Sequence, residues 1–178
     1  MSADPPTELP SLPTTINDAA EIDFSSFAGT LVRLGDAAGN TPAVREQLVA
    51  DGVLARIVLL LRQRSEWLTL QTAAVDTSSS SEHNTSIDVL AQCLRVCGNS
   101  CIDCDAARDA LLEHAALPGI LVCLRCTERV DVLKFAAGAL ANLVCAHEAA
   151  QEAFMRSNAT TVVVPALNNT VSAATQQP

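Results

Sequence analysis

Two stretches of this chain carry one pattern in succession: LRVCGNSCIDCDAARDALLEHAALPGILVCL from Leu94 to Leu124, and GALANLVCAHEAAQEAFMRSNATTVVVPAL from Gly138 to Leu167. Asn99 matches Asn142, Leu111 matches Phe154, Leu112 matches Met155, Ile120 matches Val163 and Leu124 matches Leu167, each pair 43 residues apart. Self-similarity at such a period marks a helical repeat array, in which no unit hides its apolar face alone and neighbours stack to bury it. A fainter copy lies upstream, where Gly35, Arg45, Leu48 and Leu61 match Gly98, Arg108, Leu111 and Leu124 at an offset of 63. The surplus over one period is assigned to residues 68–87, a polar, Ser-rich stretch out of phase with any apolar stripe, read as an insertion between the first two copies.

Each copy reads as three helices. The first has them over 22–38, 42–50 and 53–67, with Thr41 as N-cap and Pro42 at the first helical position. The second has them over 87–101, 105–113 and 117–126, with Asp105 as a cap. In its first helix Val89, Leu90, Cys93, Leu94, Cys97 and Cys101 form a single buried stripe. The third copy covers 130–146, 148–156 and 159–167. Composition suits a core of small aliphatic side chains, since 49% of residues are hydrophobic and only 3% aromatic. Residues 1–20 hold four prolines and no periodicity and are expected to be disordered, as are residues 169–178, leaving 21–168 as the repeat region. Val162, Val163 and Leu167 end the last copy without a polar capping unit, which calls for further repeats or a partner to cover them.

These features resemble armadillo repeats: a period near forty residues, three helices per unit and the GALANLV motif together cover residues 22–167. The resemblance implies an all-α, right-handed armadillo-type helical solenoid of about three repeats. Within that class, Arg95, Gly98, Asn99, Cys101 and Asp103, followed by Arg108, are similar to the Arg-x-x-Gly-Asn-x-Cys-x-Asp core of the small G-protein GDP-dissociation stimulators. The ataxin-ten armadillo family carries a comparable Cys-Leu-Arg segment, matched here by Cys93, Leu94, Arg95 and Cys101. The chain is far shorter than either family's full array, and its first copy has Asp36 where the others have Asn99 and Asn142. The first resemblance implies a regulator that binds a small GTPase and promotes GDP dissociation. The second implies a non-catalytic adaptor for a linear or basic peptide.

The contact face is expected at Arg95, Asn99, Asp103 and Asn142. Stacked helices about 8–10 Å apart would set the two asparagines in a ladder, and an extended peptide would meet one at roughly every third residue. Armadillo proteins use such an asparagine in this way, which is what the resemblance implies. The alternative is that each amide ties down the helix ends of its own repeat. With 20 acidic residues against 11 basic ones, nucleic acid and anionic membrane are poor partners, whereas the basic tail of a GTPase or a nuclear localisation peptide is well matched.

Cys101-x-x-Cys104 and Cys123-x-x-Cys126 enclose 18 residues, a spacing that fits a four-thiolate zinc site. Against that reading, Cys93, Cys97 and Cys101 continue one helical stripe, and Val144 and Ala166 take the places of Cys101 and Cys123 one period on. They are expected to be core residues, with no metal and no cofactor. Catalytic motifs fail: His147-Glu148 is followed by Gln151 where a zincin has its second histidine, Asp103-x-Asp105 lacks the rest of a calcium loop, and no Gly-Lys-Ser/Thr follows Gly35. No apolar run long enough to span a membrane and no secretory leader is found, so the expected setting is the cytoplasm and the expected role a non-enzymatic protein binder.

Overall fold

The computed structural model describes residues 24–73, 81–126 and 129–166, and these are all-helical, with no strand. The first unit comprises α1 (Phe24–Asn40), α2 (Pro42–Ala50) and α3 (Val53–Ala73). The second comprises α4 (Ser81–Ser100), α5 (Asp105–Glu113) and α6 (Ala116–Cys126). The third comprises α7 (Val130–Val144), α8 (Glu148–Arg156) and a helical segment α9 over residues 160–166.

The sequence period is also a backbone period. The second helix of each unit starts from an extended N-cap: Thr41 (φ −130°, ψ 109°), Cys104 (−141°, 93°) and His147 (−128°, 102°) occupy equivalent places. Its C-caps, Asp51, His114 and Ser157, are just as closely matched, and each N–H closes the last turn on the carbonyl four residues back. The next residue in each unit is left-handed: Gly52 at φ 66°, Ala115 at 57° and Asn158 at 52°. That conformation lets the chain reverse within two residues and begin the third helix. Glycine adopts it freely, whereas Ala115 carries a strain of about 1–2 kcal/mol.

Helices at equivalent positions lie against one another. α1 packs on α4 and α4 on α7; α2 packs on α5 and α5 on α8; α3 packs on α6. α4 is the central rod, and Val89, Leu90, Cys93, Leu94, Val96, Cys97 and Cys101 are all buried along it. Leu31, Leu48, Leu54, Leu61, Leu111, Ile120 and Leu143 fill the layers around it, each fully buried leucine or isoleucine contributing about 1.5–3 kcal/mol. Small residues set the spacing: a Cβ on Gly98 would stand 3.0 Å from the Cα of Ala139, so α4 and α7 touch backbone to backbone there.

The Ser-rich insertion at 68–87 differs from the loop expected of it. Helix α3 runs on to Ala73 and α4 begins at Ser81, so the surplus lengthens helices: α3 has 21 residues against 11 in α6, and α4 has 20 against 15 in α7. The physical reason is that a buried residue still recurs on the turns of the extension. Leu61, Ser65 and Leu68 continue the stripe of α3, Ile87 joins that of α4, and Thr69 Oγ1 satisfies itself on the Ser65 carbonyl at 3.0 Å. The cap of α5 is also corrected, since Cys104 holds the N-cap place and Asp105 is the first helical residue. The tails at 1–20 and 169–178, and Leu167, lie outside the described residues.

Candidate functional site

Between Ile87 and Ser100 every residue of α4 is buried except Asp88, Gln92, Arg95 and Asn99. Their spacing of four, three and four places them on one face of the helix. Asp131, Phe135, Gly138 and Asn142 hold the equivalent places on α7, and Val32 and Asp36 those on α1. The three helices therefore carry a row of mostly polar positions, interrupted by Phe135 and Gly138 on α7 and by Val32 on α1.

The structure gives each predicted contact residue a partner or a place of its own. Asn99 Nδ2 donates to the Gly35 carbonyl at 2.8 Å, and Asn142 Nδ2 donates to the Gly98 carbonyl at 3.0 Å. The amides thus form a ladder, but its rungs join one unit to the preceding one. These bonds use one N–H of each amide and tie neighbouring units rather than the unit's own helix ends. Arg95 forms an ion pair with Asp36 across the same joint, with side-chain exposures of 24% and 54%. Asp103 lies off the strip: exposed, at φ 47°, it closes the turn after α4 as Ala146 (φ 52°) closes the one after α7. An aspartate takes this left-handed position more readily than most residues. Arg95 and Asn99 share one face, Asn142 stands on the adjacent helix, and Asp103 is set apart in the connection.

A second cluster crosses the α4–α7 joint near its other end. Arg129 donates to both carboxylate oxygens of Asp131, at 3.1 and 2.8 Å, and to Asp88 at 3.0 Å. The hydrogen bond to Asp131 raises the guanidinium pKa. Burial would push the Asp131 carboxyl up, but the hydrogen bonds from Arg129 and from the Val132 backbone hold it below its ordinary value. Gln92, midway along the strip, has a buried Oε1 with no donor among the described residues.

The braces that sequence reasoning missed come from the second helices. Buried Arg45 donates to the carbonyls of Ala38 (2.7 Å), Gly39 (3.1 Å) and Ile102 (2.5 Å), which ties the C-terminal end of α1 to the α4–α5 connection of the next unit. Its counterpart Arg108 donates to the Asn142 carbonyl of the following unit at 3.1 Å and to Asp105 at 2.6 Å. Gln151 holds the same place in the third unit, and its amide turns back to the Val144 carbonyl at 3.0 Å. Arg45 and Arg108 were already visible as a matched pair; their targets were not, because carbonyls leave no mark in a sequence.

Cys93, Cys97, Cys101, Cys104 and Cys123 are core residues, whereas Cys145 is exposed. Burial pushes the Cys93 and Cys97 thiols well above their ordinary value and that of Cys101 to about 12, which makes all three poor nucleophiles at neutral pH. Among the described residues no three His, Cys, Asp or Glu side chains come together as a metal cluster, and the side chain of Cys126 lies outside them. No helix among the described residues is long and apolar enough to cross a membrane.

Comparison with family models, curated proteins and solved structures finds no match to this chain.

Proposed function

We propose that the chain is a right-handed armadillo-type solenoid that binds protein without covalent chemistry, and that its partner is a small GTPase in the cytoplasm. The observation that carries this reading is the polar strip across α1, α4 and α7, built from equivalent residues of successive units. Asn99 and Asn142 each commit one amide N–H to the stack, and the exposed carboxylates of Asp36 and Asp88 are paired with Arg95 and Arg129, whose places a donor-rich partner could take. Such carboxylates suit a donor-rich segment such as a Lys- and Arg-rich GTPase tail. Holding the GTPase form with a weakened nucleotide site more tightly than the GDP-bound form would lower GDP affinity by the reciprocity of coupled binding.

The same strip also suits a second reading, an adaptor that holds a linear basic peptide with no effect on any nucleotide. GDP release from a panel of GTPases loaded with fluorescent GDP separates the two. Faster release from at least one GTPase, lost on Arg95→Glu, supports exchange stimulation. An unchanged rate across the panel with basic-peptide binding retained favours the adaptor, and loss of both overturns a protein-binding role for the strip.

A further inference from the structure

We propose that the outer face of the third unit docks an amphipathic helix of a partner protein, set against α7 as α7 is set against α4. The first helices carry matched outer rows. On α4 the row is Ile87, Ala91, Leu94 and Gly98, and all four are buried. On α7 the same places are Val130, Lys134, Ala137 and Ala141, and all four are exposed. Val130 is 78% exposed where Ile87 is 5%. The other helices of the unit repeat the contrast: Met155 is 68% exposed where Leu112 packs against the core, and Val164 is 54% exposed where Leu121 is 9%. Val162 and Val163, expected to be bare, are partly buried against the core, so the uncovered apolar residues are Val130, Met155 and Val164.

The joints already made show what fits there. The Gly35 and Gly98 carbonyls each accept a side-chain amide from the following unit. The Ala141 carbonyl holds the next such place, and among the described residues it accepts only the Cys145 N–H, at 3.0 Å. Ala137 and Ala141 are small enough for a helix to approach closely, as Ala139 does at Gly98. Lys134 stands where α4 has Ala91, but its ammonium lies 5.9 Å from the centre of the Phe135 ring, which draws it towards the polar strip.

The inner faces of α4 and α7 define the occupant. Val89, Cys93, Val96 and Asn99 on α4 match Val132, Ala136, Ala139 and Asn142 on α7, so the docking helix needs small or branched apolar residues at that spacing followed by an asparagine. A second copy stacked head to tail does not supply it. In α1 the corresponding places are Thr30, Arg33 and Asp36, with Arg33 Nη2 donating to Thr30 Oγ1 at 3.1 Å. Arg33 would stand where Ala139 meets backbone, and a carboxylate at Asp36 has no N–H for the Ala141 carbonyl. The outer side of α1 is thus a polar end to the stack, whereas that of α7 is an open joint. Residues 167–178 do not carry the pattern either.

The test is fluorescence anisotropy of a stapled, labelled peptide of the α7 sequence, residues 129–146 with Cys145→Ser, titrated with the full chain. Saturable one-to-one binding is expected, with Cys145 of the chain protected from maleimide. Ala137→Glu in the chain, an exposed substitution, should weaken binding about tenfold with the melting temperature unchanged, and Asn142→Asp in the peptide should weaken it as well. Binding indifferent to both substitutions, or no saturation, overturns the proposal. Faster modification of Cys145 overturns it too, because the peptide would then be displacing α7 from α4. A dimer in sedimentation equilibrium that Ala137→Glu dissolves would assign the face to a second copy and overturn the partner helix.

Discussion

Gly98→Ala adds one methyl group where the structure has no room. The new Cβ would lie 3.0 Å from the Cα and 3.1 Å from the N of Ala139. Both are backbone atoms of α7, so no side chain can rotate aside and the helix itself must shift. Overpacking of this kind costs about 1–3 kcal/mol. The same shift strains the Asn142–Gly98 hydrogen bond, a contact of 3.0 Å worth about 0.5–1.5 kcal/mol. Against these losses, alanine in a helix gains about 0.5–1 kcal/mol over glycine. The balance is a destabilisation of about 1–3 kcal/mol.

Gly138→Ala supplies the control, because a Cβ there meets nothing within 4 Å. Only the propensity gain remains, so it should stabilise by about 0.5–1 kcal/mol. Urea unfolding followed by far-UV circular dichroism measures both. With a slope on the order of 2 kcal/mol per molar, Gly98→Ala should lower the midpoint by about 0.5–1.5 M and Gly138→Ala should raise it slightly. A Gly98→Ala midpoint at or above the parent's, with the slope unchanged, refutes the backbone contact between α4 and α7.

Arg45→Met removes a buried cation that bonds three carbonyls and should cost about 2–4 kcal/mol, whereas Gln151→Ala loses one bond and about 0.5–1.5 kcal/mol; thermal melts that rank the two the other way count against the brace. His147→Ala removes the acceptor for the Ala150 N–H, a 3.3 Å bond, and should cost about 0.5–2 kcal/mol as other N-caps do, read from the same melts. Stability should fall at alkaline pH. Unfolded thiols ionise near their ordinary value of 9.0 while folded Cys101 holds its proton to about 12 and Cys97 is also raised, so the contribution is whole below 9 and is lost as pH rises through that window. The urea midpoint at pH 8 and at pH 10 checks this, tyrosine being absent from the chain, and a midpoint independent of pH would contradict it.

The repeat was legible in the sequence because stacking leaves a periodic trace. Buried residues must recur on each helix face, and Leu48 and Leu111, or Ile120 and Val163, kept their spacing for that reason. The cysteine stripe of α4 was legible on the same ground. The insertion differs from the expected loop because a polar composition does not by itself exclude a helix. Helices α3 and α4 tolerate a mostly polar surface so long as residues such as Leu68 and Ile87 return to the core. For the candidate site the sequence shows positions only: Arg95, Asn99, Asp103 and Asn142 stand out in it, but not the atoms that Arg95 and the two asparagines bond.

By itself, then, the sequence determined the period, the three-helix unit and the apolar faces, all of which depend on residues close together along the chain and on side-chain chemistry that a pattern records. The tertiary structure decided where the polar groups go. That the Asn142 amide ends on the Gly98 carbonyl, that Arg45 reaches Ile102, and that Arg108 reaches the Asn142 carbonyl are consequences of distance between separate helices. Backbone carbonyls are the same at every residue, so only packing selects which of them a given donor meets.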